Sequence, residues 1–329
     1  VRRQRQMCIR DSYGVNRTLL NKFQENLARD EYNNVAVMLD ITLHDVPKVL
    51  ADVLGGERTS EYISWKVDND TVFEIVRVYL EQILPLAKKY GCTFCIELHN
   101  EPEIQAAKYD FYIPNWQKYL KEKYATINDL NAAYSSSYKS FEEVLMPQEY
   151  SEGRLYYDYR LFIEGLAEEY FQKLYNIVKE IDPDIYVTNK YKQDLIAREN
   201  YKAFTSAPIE RGINFDQLYK WNDIAGCDPS AFLQYEPYSL QAKLQWYDYQ
   251  SDVAGTPVFN MEDHSIVDGR NMDYSERLPA WYNANIWQGA MHGLSGNMIW
   301  LWGRSDQMEN GTFNNTTIQY RADLMRMTS

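Results

Sequence analysis

The sequence predicts an α/β fold of the (β/α)8 TIM-barrel class, and two observations support the prediction. Long amphipathic stretches alternate with short apolar runs along the 329 residues, which is typical of βα units around a parallel sheet. A doubly wound open sheet would give the same alternation, but it normally carries a glycine-rich phosphate-binding turn after its first strand, which this sequence lacks. Six strands are predicted, so we expect an eight-stranded barrel that lacks its first two strands in this chain.

The predicted strands are short apolar runs bounded by polar or turn-forming residues. In chain order they are Val35–Thr42, Thr93–Leu98, Asp184–Thr188, Asp223–Cys227, Pro257–Met261 and Asn297–Trp302. Helical periodicity covers residues 17–32, 70–89, 114–124, 127–134, 158–181 and 275–293, a further helix begins near residue 214, and residues 240–253 lead into the fifth strand. For the 70–89 helix, Asp70 or Thr71 is the predicted N-cap.

The first twelve residues do not fit this pattern. They read VRRQRQMCIRDS and include MCIRDS, a segment that resembles translated sequencing-adapter read-through. They also lack the apolar core of a signal peptide. We therefore expect residues 1–12 to be a non-native leader and residues 13–329 to be a partial TIM-barrel domain whose true N-terminus is missing from the sequence.

Composition narrows the class of ligand. The formal net charge of −13 argues against nucleic acid as a partner, because that binding relies on clustered Lys and Arg. The 28 Tyr and 8 Trp offer apolar faces with polar edges, which suit sugars. No apolar run reaches membrane-spanning length, so no membrane association is expected. Cys92 and Cys95 have C-x-x-C spacing but no second pair, so we interpret them as buried core thiols and expect no metal site.

Polar and aromatic side chains are concentrated where the predicted strands end, which is the side of a barrel on which active sites form. They are His44, Asn100, Glu101, Asn189, Lys190, Tyr191, Asp228, Glu262, Asp263, His264, Trp300 and Trp302. Several also have ordinary structural interpretations. Asp228 could cap a helix, Lys190 and Tyr191 could lie at the surface, His44 could be a core histidine, and His264 could make a local hydrogen bond.

Glu101 and Glu262 follow different strands, and two carboxylates placed in this way can cleave a glycosidic bond. One carboxyl must be protonated at neutral pH, through burial or the charge of the other, and the second must be ionised and placed to attack the anomeric carbon. A separation of about 5–5.5 Å gives a covalent intermediate and retention, whereas roughly 6.5–9.5 Å gives inversion. The residue pattern alone is compatible with both retention and inversion.

Three motifs resemble those of glycoside hydrolase clan A. IELHNEPE (96–103) is similar to the fourth-strand motif of the clan, PVFNMEDHS (257–265) to the seventh, and NMIWLWGR (297–304) to the eighth. Within the clan, residues 116–144 resemble the long insertion after the fourth strand of family 42 β-galactosidases, and residues 157–191 also resemble that family. The resemblance covers roughly residues 30–305 and implies a TIM-barrel glycosidase catalytic domain.

The resemblance also implies a role for each site residue. Glu101 would be the acid/base and Glu262 the nucleophile of a retaining double displacement, and Asn100 would hydrogen-bond the 2-hydroxyl of the reacting sugar. One departure is visible: family 42 usually has Asp and an aromatic residue where this chain has His99 and Pro102, which are closer to the general clan pattern. The other expected substrate-binding residues are His44, Trp300 (with Trp302 as its substitute if the register differs by two), Tyr191 and Asp228.

The leading functional hypothesis is therefore a hydrolase of β-linked sugars, above all β-galactosides, that needs no cofactor. Two alternatives stay open: a non-catalytic carbohydrate-binding barrel, and a clan A hydrolase with a different specificity, for a β-glucoside, a β-mannoside or a polysaccharide. The expected partner is an oligosaccharide or β-glycoside substrate, and a homo-oligomer is compatible with the sequence. Cytoplasmic, periplasmic and secreted locations are all compatible with a chain whose true N-terminus is missing.

Overall fold

The computed structural model describes residues 2–5, 10–11, 14–41, 63, 65–148, 153–192, 211–232, 238–264 and 278–299, and the structural statements below concern these residues alone. The strands are β1 (Arg2–Arg5), β2 (Arg10–Asp11), β3 (Gly14–Val15), β4 (Val37–Asp40), β5 (Thr93–Asn100), β6 (Tyr186–Tyr191), β7 (Ala225–Cys227), β8 (Val258–Asp263) and β9 (Leu294–Ile299). The helices are α1 (Arg17–Tyr32), α2 (Asp70–Lys89), α3 (Ile113–Lys123), α4 (Ile127–Tyr134), α5 (Arg154–Ile181), α6 (Phe215–Leu218), α7 (Tyr238–Ala254) and α8 (Leu278–Met291). The predicted alternation of helices and strands is confirmed.

The chain divides into two compact units, with the boundary inside β6. One unit comprises Val1–Asn189 and Ala207–Asn222, and the other comprises Lys190–Ser206 and Asp223–Ser329. In the first unit, β4 pairs in parallel with both β1 and β5. In the second unit, β7 pairs in parallel with the end of β6 and with β8, and β8 pairs in parallel with β9. The strand order β1-β4-β5-β6-β7-β8-β9 follows the chain, as expected for successive βα units.

Local sequence explains how the first unit begins. The side chain of Asn16 accepts hydrogen bonds from the backbone N–H groups of Thr18 and Leu19, which caps the N-terminus of α1. The helix buries Phe23 and Leu27, and all four residues of β4 are buried. A strand that is buried throughout must be covered on both faces, which is typical of parallel sheets in α/β proteins.

The N-cap of α2 differs from the prediction by one residue. The side chain of Asn69 accepts a hydrogen bond from the backbone N–H of Thr71 at 3.0 Å, so Asn69 is the cap, and the predicted Asp70 or Thr71 is not. The backbone of Asn69 is extended, which an N-cap requires and a residue inside the first helical turn cannot adopt. Helix α2 packs against α5.

The insertion that contains α3 and α4 is held to α5 by a buried carboxylate, Asp158. Its side chain is fully buried and accepts hydrogen bonds from the hydroxyls of Tyr124 at 2.5 Å and Tyr134 at 2.9 Å. The ammonium of Lys123 lies 2.9 Å and the guanidinium of Arg154 3.3 Å from its second oxygen. Burial raises the pKa of both tyrosines, so their hydroxyls remain protonated donors at neutral pH.

Further differences from the sequence-based predictions concern element boundaries and one additional strand. Helix α5 begins at Arg154, four residues before the predicted start, and β6 begins at Tyr186, two residues after it. Strand β1 was not predicted, because its residues, RRQR, include no apolar side chain. Among the helices described, none is both long enough and apolar enough to cross a membrane.

Candidate active site

In the first unit, the predicted acid/base follows directly after β5. Asn100 is the last residue of this strand, and it is 4% exposed. Glu101 comes next and is half-buried, with a backbone φ of 46°. Left-handed backbone is uncommon for residues other than glycine and costs on the order of 1 kcal/mol or more, so the surrounding structure must hold it in place.

The location of Glu101 distinguishes it from the other described non-glycine residues with positive φ. These are Asn34, which follows α1, and Ser135, which is the C-cap of α4, and both occupy positions at which helices commonly end in this conformation. Glu101 instead ends a strand. Strained backbone of this kind is concentrated at functional sites, so the conformation supports a functional role for Glu101.

His99 occupies a position that departs from the family 42 pattern, and the structure shows what its side chain contacts. Its imidazole Nε2 lies 2.9 Å from the hydroxyl of Tyr170 on α5, and its ring lies against Trp65 and Phe171. Because side chains alternate along a strand, Asn100 points to the opposite face of the sheet from the His99 contacts. His99 is therefore part of the packing between sheet and helix, whereas Asn100 is available to the other face.

In the second unit, the predicted nucleophile lies near the C-terminal end of β8. The ammonium of Lys190 forms an ion pair with Glu262 Oε2, and the imidazole Nε2 of His264 lies 3.3 Å from Glu262 Oε1. The Glu262 side chain is 13% exposed, whereas that of Lys190 is fully buried. Positive charge close to a carboxylate favours its ionised form, which is the form a nucleophile requires.

A set of buried hydrogen bonds holds the backbone of Glu262. Its N–H donates to the side-chain oxygen of Asn260 at 3.1 Å. The Asn260 amide nitrogen donates in turn to the carbonyl of Pro229 at 2.7 Å and to the hydroxyl of Tyr247 at 2.8 Å. Burial raises the pKa of Tyr247 well above its usual value, so this hydroxyl stays protonated. The position of Glu262 is thus determined by β7, α7 and β8 together.

The next residue along β8, Asp263, anchors the strand to the helices. Its side chain is fully buried and forms an ion pair at 2.7 Å with Lys243 of α7, which is 1% exposed. Asn297 of β9 donates to the second carboxylate oxygen at 3.0 Å. Asp263 therefore faces α7, and this contact supports the orientation in which the preceding Glu262 faces Lys190.

We expect the substitution Lys243→Met to destabilise this unit strongly. It would leave the carboxylate of Asp263 buried without its counter-charge, and breaking one side of a buried ion pair typically costs about 3–5 kcal/mol. Urea denaturation followed by tryptophan fluorescence measures the change. Lys118→Met, which removes an exposed lysine, is the matched control and should leave the transition unchanged. A loss below about 1 kcal/mol in Lys243→Met would contradict the anchoring role.

Of the remaining predicted substrate-binding residues, two lie at strand ends and three lie outside the described residues. Tyr191 is the last residue of β6 and is 1% exposed, and alternation puts it on the opposite face of the strand from Lys190. Asp228 follows β7 directly and is half-buried. Contact of either residue with substrate stays a prediction. His44, Trp300 and Trp302 lie outside the described residues.

The sequence identified Lys190 as a polar residue at a strand end that could lie at the surface, but it did not predict the contact with Glu262. The structure corrects this interpretation, because Lys190 is buried and paired with Glu262. A signal was present in the sequence: Lys190 comes two residues after the predicted strand Asp184–Thr188, on the side of a barrel where active sites form. In the part of the chain that the structure describes, no group of three or more His, Cys, Asp or Glu side chains could hold a metal ion.

Comparison with known families gives one family match. The family model Glyco_hydro_42, which stands for beta-galactosidase, matches residues 59–321. This range contains every predicted site residue except His44. A search of curated proteins gave no match.

Solved structures with a similar fold include two GH42 proteins and a further beta-galactosidase. An exo-carrageenase from Bacteroides ovatus has a TM-score of 0.73 at 19% identity, with 99% of this chain and 47% of that one covered. A beta-galactosidase from G. stearothermophilus has a TM-score of 0.67 at 15% identity, and the match covers 93% of this chain and 49% of that one. One from Bacillus circulans sp. alkalophilus has a TM-score of 0.67 at 18% identity, covering 92% and 45%. The chain thus spans about half the length of these proteins, and the likeness confirms the predicted TIM-barrel fold class.

Proposed function

Because the chain belongs to the Glyco_hydro_42 family of β-galactosidases, we propose that it is the catalytic part of a retaining glycoside hydrolase that acts on β-galactosides. The observation that carries the proposal is the environment of Glu262. This carboxylate lies at the C-terminal end of a parallel strand, where barrel enzymes place their catalytic groups, and it forms an ion pair with the buried ammonium of Lys190. Such a carboxylate is suited to attack an electrophilic carbon.

The proposed reaction has two steps. In the first, an oxygen of Glu262 forms a bond to the anomeric carbon while the glycosidic C–O bond breaks and the leaving oxygen takes a proton from Glu101. In the second, Glu101 removes a proton from a water molecule, the water oxygen bonds to the anomeric carbon, and the bond to Glu262 breaks with its electron pair returning to the carboxylate. Two inversions at one carbon give net retention.

Two substrate-binding roles complete the proposal. Asn100, at the end of β5, would donate a hydrogen bond to the 2-hydroxyl of the reacting sugar. Asp228, at the end of β7, would contact another hydroxyl. The side chain of Tyr191 is buried on the opposite face of β6 from Lys190, so it is not part of the proposal. Galactose is proposed as the sugar on the basis of the family and of the two galactosidases among the similar structures. The exo-carrageenase among them makes a polysaccharide the second substrate class to test.

We expect the protein to hydrolyse an aryl β-galactoside with retention of configuration. The test is a panel of aryl β-galactoside, β-glucoside and β-mannoside together with a carrageenan oligosaccharide, with proton NMR used to observe the first anomer formed. The β anomer should appear first and then mutarotate. Formation of the α anomer first would contradict the double displacement, and hydrolysis of none of the substrates would favour the alternative of a non-catalytic carbohydrate-binding barrel.

A further inference from the structure

We propose that Lys190 is a positioning and charge-balancing residue that keeps Glu262 ionised in the free enzyme and favours its departure in the second step of the reaction. The inference rests on the proposed function. Lys190 does not form or break a bond with the sugar, and its charge is expected to affect the rates of the two steps in opposite directions.

The sheet brings Lys190 and Glu262 together across β7. Lys190 pairs in register with Gly226 of β7, and Gly226 pairs with Phe259 of β8. Register partners in a parallel sheet share a face, so the residue between Lys190 and β8 on that face is a glycine. The register of β8 shifts between Asn260 and Asp263, which brings Glu262 to the same face as Phe259. Because Gly226 has no side chain, the ammonium of the fully buried Lys190 can reach the Glu262 carboxylate across β7.

The contact between Lys190 and Glu262 affects the two steps differently, because the charge of Glu262 changes during the reaction. Glu262 is an anion before attack and a neutral ester in the covalent intermediate, whereas no bond to Lys190 forms or breaks in either step. The ammonium therefore stabilises the carboxylate relative to the intermediate. It makes Glu262 a weaker nucleophile in the first step and a better leaving group in the second, and it opposes protonation of Glu262 at low pH.

Other charged groups around Glu262 must be separated from the effect of Lys190. His264, the residue that follows β8, has its imidazole Nε2 3.3 Å from the other carboxylate oxygen. Asp263 is paired with Lys243 of α7, so that pair lies on the other side of β8. A His264→Gln variant isolates the first contribution, and a Lys190→Arg variant separates the charge of Lys190 from the loss of its side chain.

The experiment compares the parent protein with Lys190→Met and Lys190→Arg on an aryl β-galactoside with an activated leaving group. In Lys190→Met, the acid limb of the kcat/KM profile should move to higher pH by about 1–3 pH units, the effect typical of one close opposite charge. Slower release of Glu262 should lower kcat and KM together, on the order of tenfold, and produce a burst of the aryl product. Lys190→Arg keeps the charge and should restore the parent profile.

Each possible result either supports or overturns the proposed role of Lys190. An unshifted acid limb and no burst in an active Lys190→Met protein overturn the role of Lys190 while leaving the proposed function intact. Failure of Lys190→Arg to restore the parent profile overturns it as well, because the effect would then not depend on the positive charge. If Lys190→Met does not fold, Lys190→Gln, which keeps a hydrogen bond without the charge, carries the same expectations. Absence of hydrolysis by the parent protein would overturn the proposed function and the inference that rests on it.

Discussion

We expect the Glu262→Gln protein to have a kcat/KM for aryl β-galactosides that is lower by on the order of 10⁴-fold or more, as is typical when a catalytic nucleophile is removed. The amide has no charged oxygen with which to attack the anomeric carbon, so no covalent intermediate can form. Its shape is nearly that of the carboxylate, and its carbonyl oxygen can still accept a hydrogen bond from Lys190. The loss should therefore appear in activity measurements, with circular dichroism showing that the fold remains.

Two further measurements sharpen this prediction. Glu169→Gln removes an exposed carboxylate that pairs with Lys173 on α5, and as the matched control it should retain full activity. In Glu262→Ala, added azide can enter the space of the lost side chain and attack in its place, which would give an α-galactosyl azide by a single inversion. Full activity in Glu262→Gln, or a β-configured azide product from Glu262→Ala, would contradict the nucleophile assignment.

Much of the fold could be predicted because its elements depend on local pattern. Helix α1 has the predicted bounds, and all six predicted strands are present, because most of their apolar side chains are buried. The bounds of β6 differ for a local reason. Asp184 was assigned to the strand, but it lies in a turn after Pro183, where the ammonium of Lys88 contacts it at 3.0 Å. Burial pattern cannot distinguish such a tethered turn from the start of a strand.

The site was predictable only in part, because its chemistry depends on neighbours that are distant in sequence. Glu101 and Glu262 could be identified from the motifs around them. Lys190 could not, since it is 72 positions from Glu262 along the chain and hydropathy alone assigns a lysine to the surface. The buried pair also has a consequence for stability: a lysine without access to water is tolerated only beside its counter-charge, so the contact constrains fold and chemistry together.

The alternation of Glu262 and Asp263 shows how the fold supports the site. One carboxylate pairs with Lys190 of β6 and the next with Lys243 of α7, and the two ion pairs lie on opposite sides of β8. Neither could be replaced by an apolar residue without leaving the other half of its pair as a buried charge. Exchange of the two lysine contacts would require β8 to shift by one residue, which would reverse every side chain on the strand. The ion pairs therefore specify the register of β8.

We expect the Glu101→Ala protein to discriminate between substrates by their leaving groups. For a β-galactoside with a poor leaving group, kcat/KM should fall by about 10²–10⁴-fold, because the departing oxygen is no longer protonated. For a dinitrophenyl β-galactoside the first step needs no proton, so kcat/KM should change little while kcat falls, since no base then activates water. Initial rates for the two substrates measure the difference.

Azide distinguishes the role of Glu101 from that of Glu262. In Glu101→Ala the intermediate on Glu262 still forms, and azide, which needs no general base, should attack it and release a β-galactosyl azide with a higher kcat. An α-configured azide product would instead make Glu101 the nucleophile and exchange the two roles. Equal losses for both leaving groups would mean that Glu101 acts without transferring a proton. Its left-handed backbone would then have to be explained by substrate positioning.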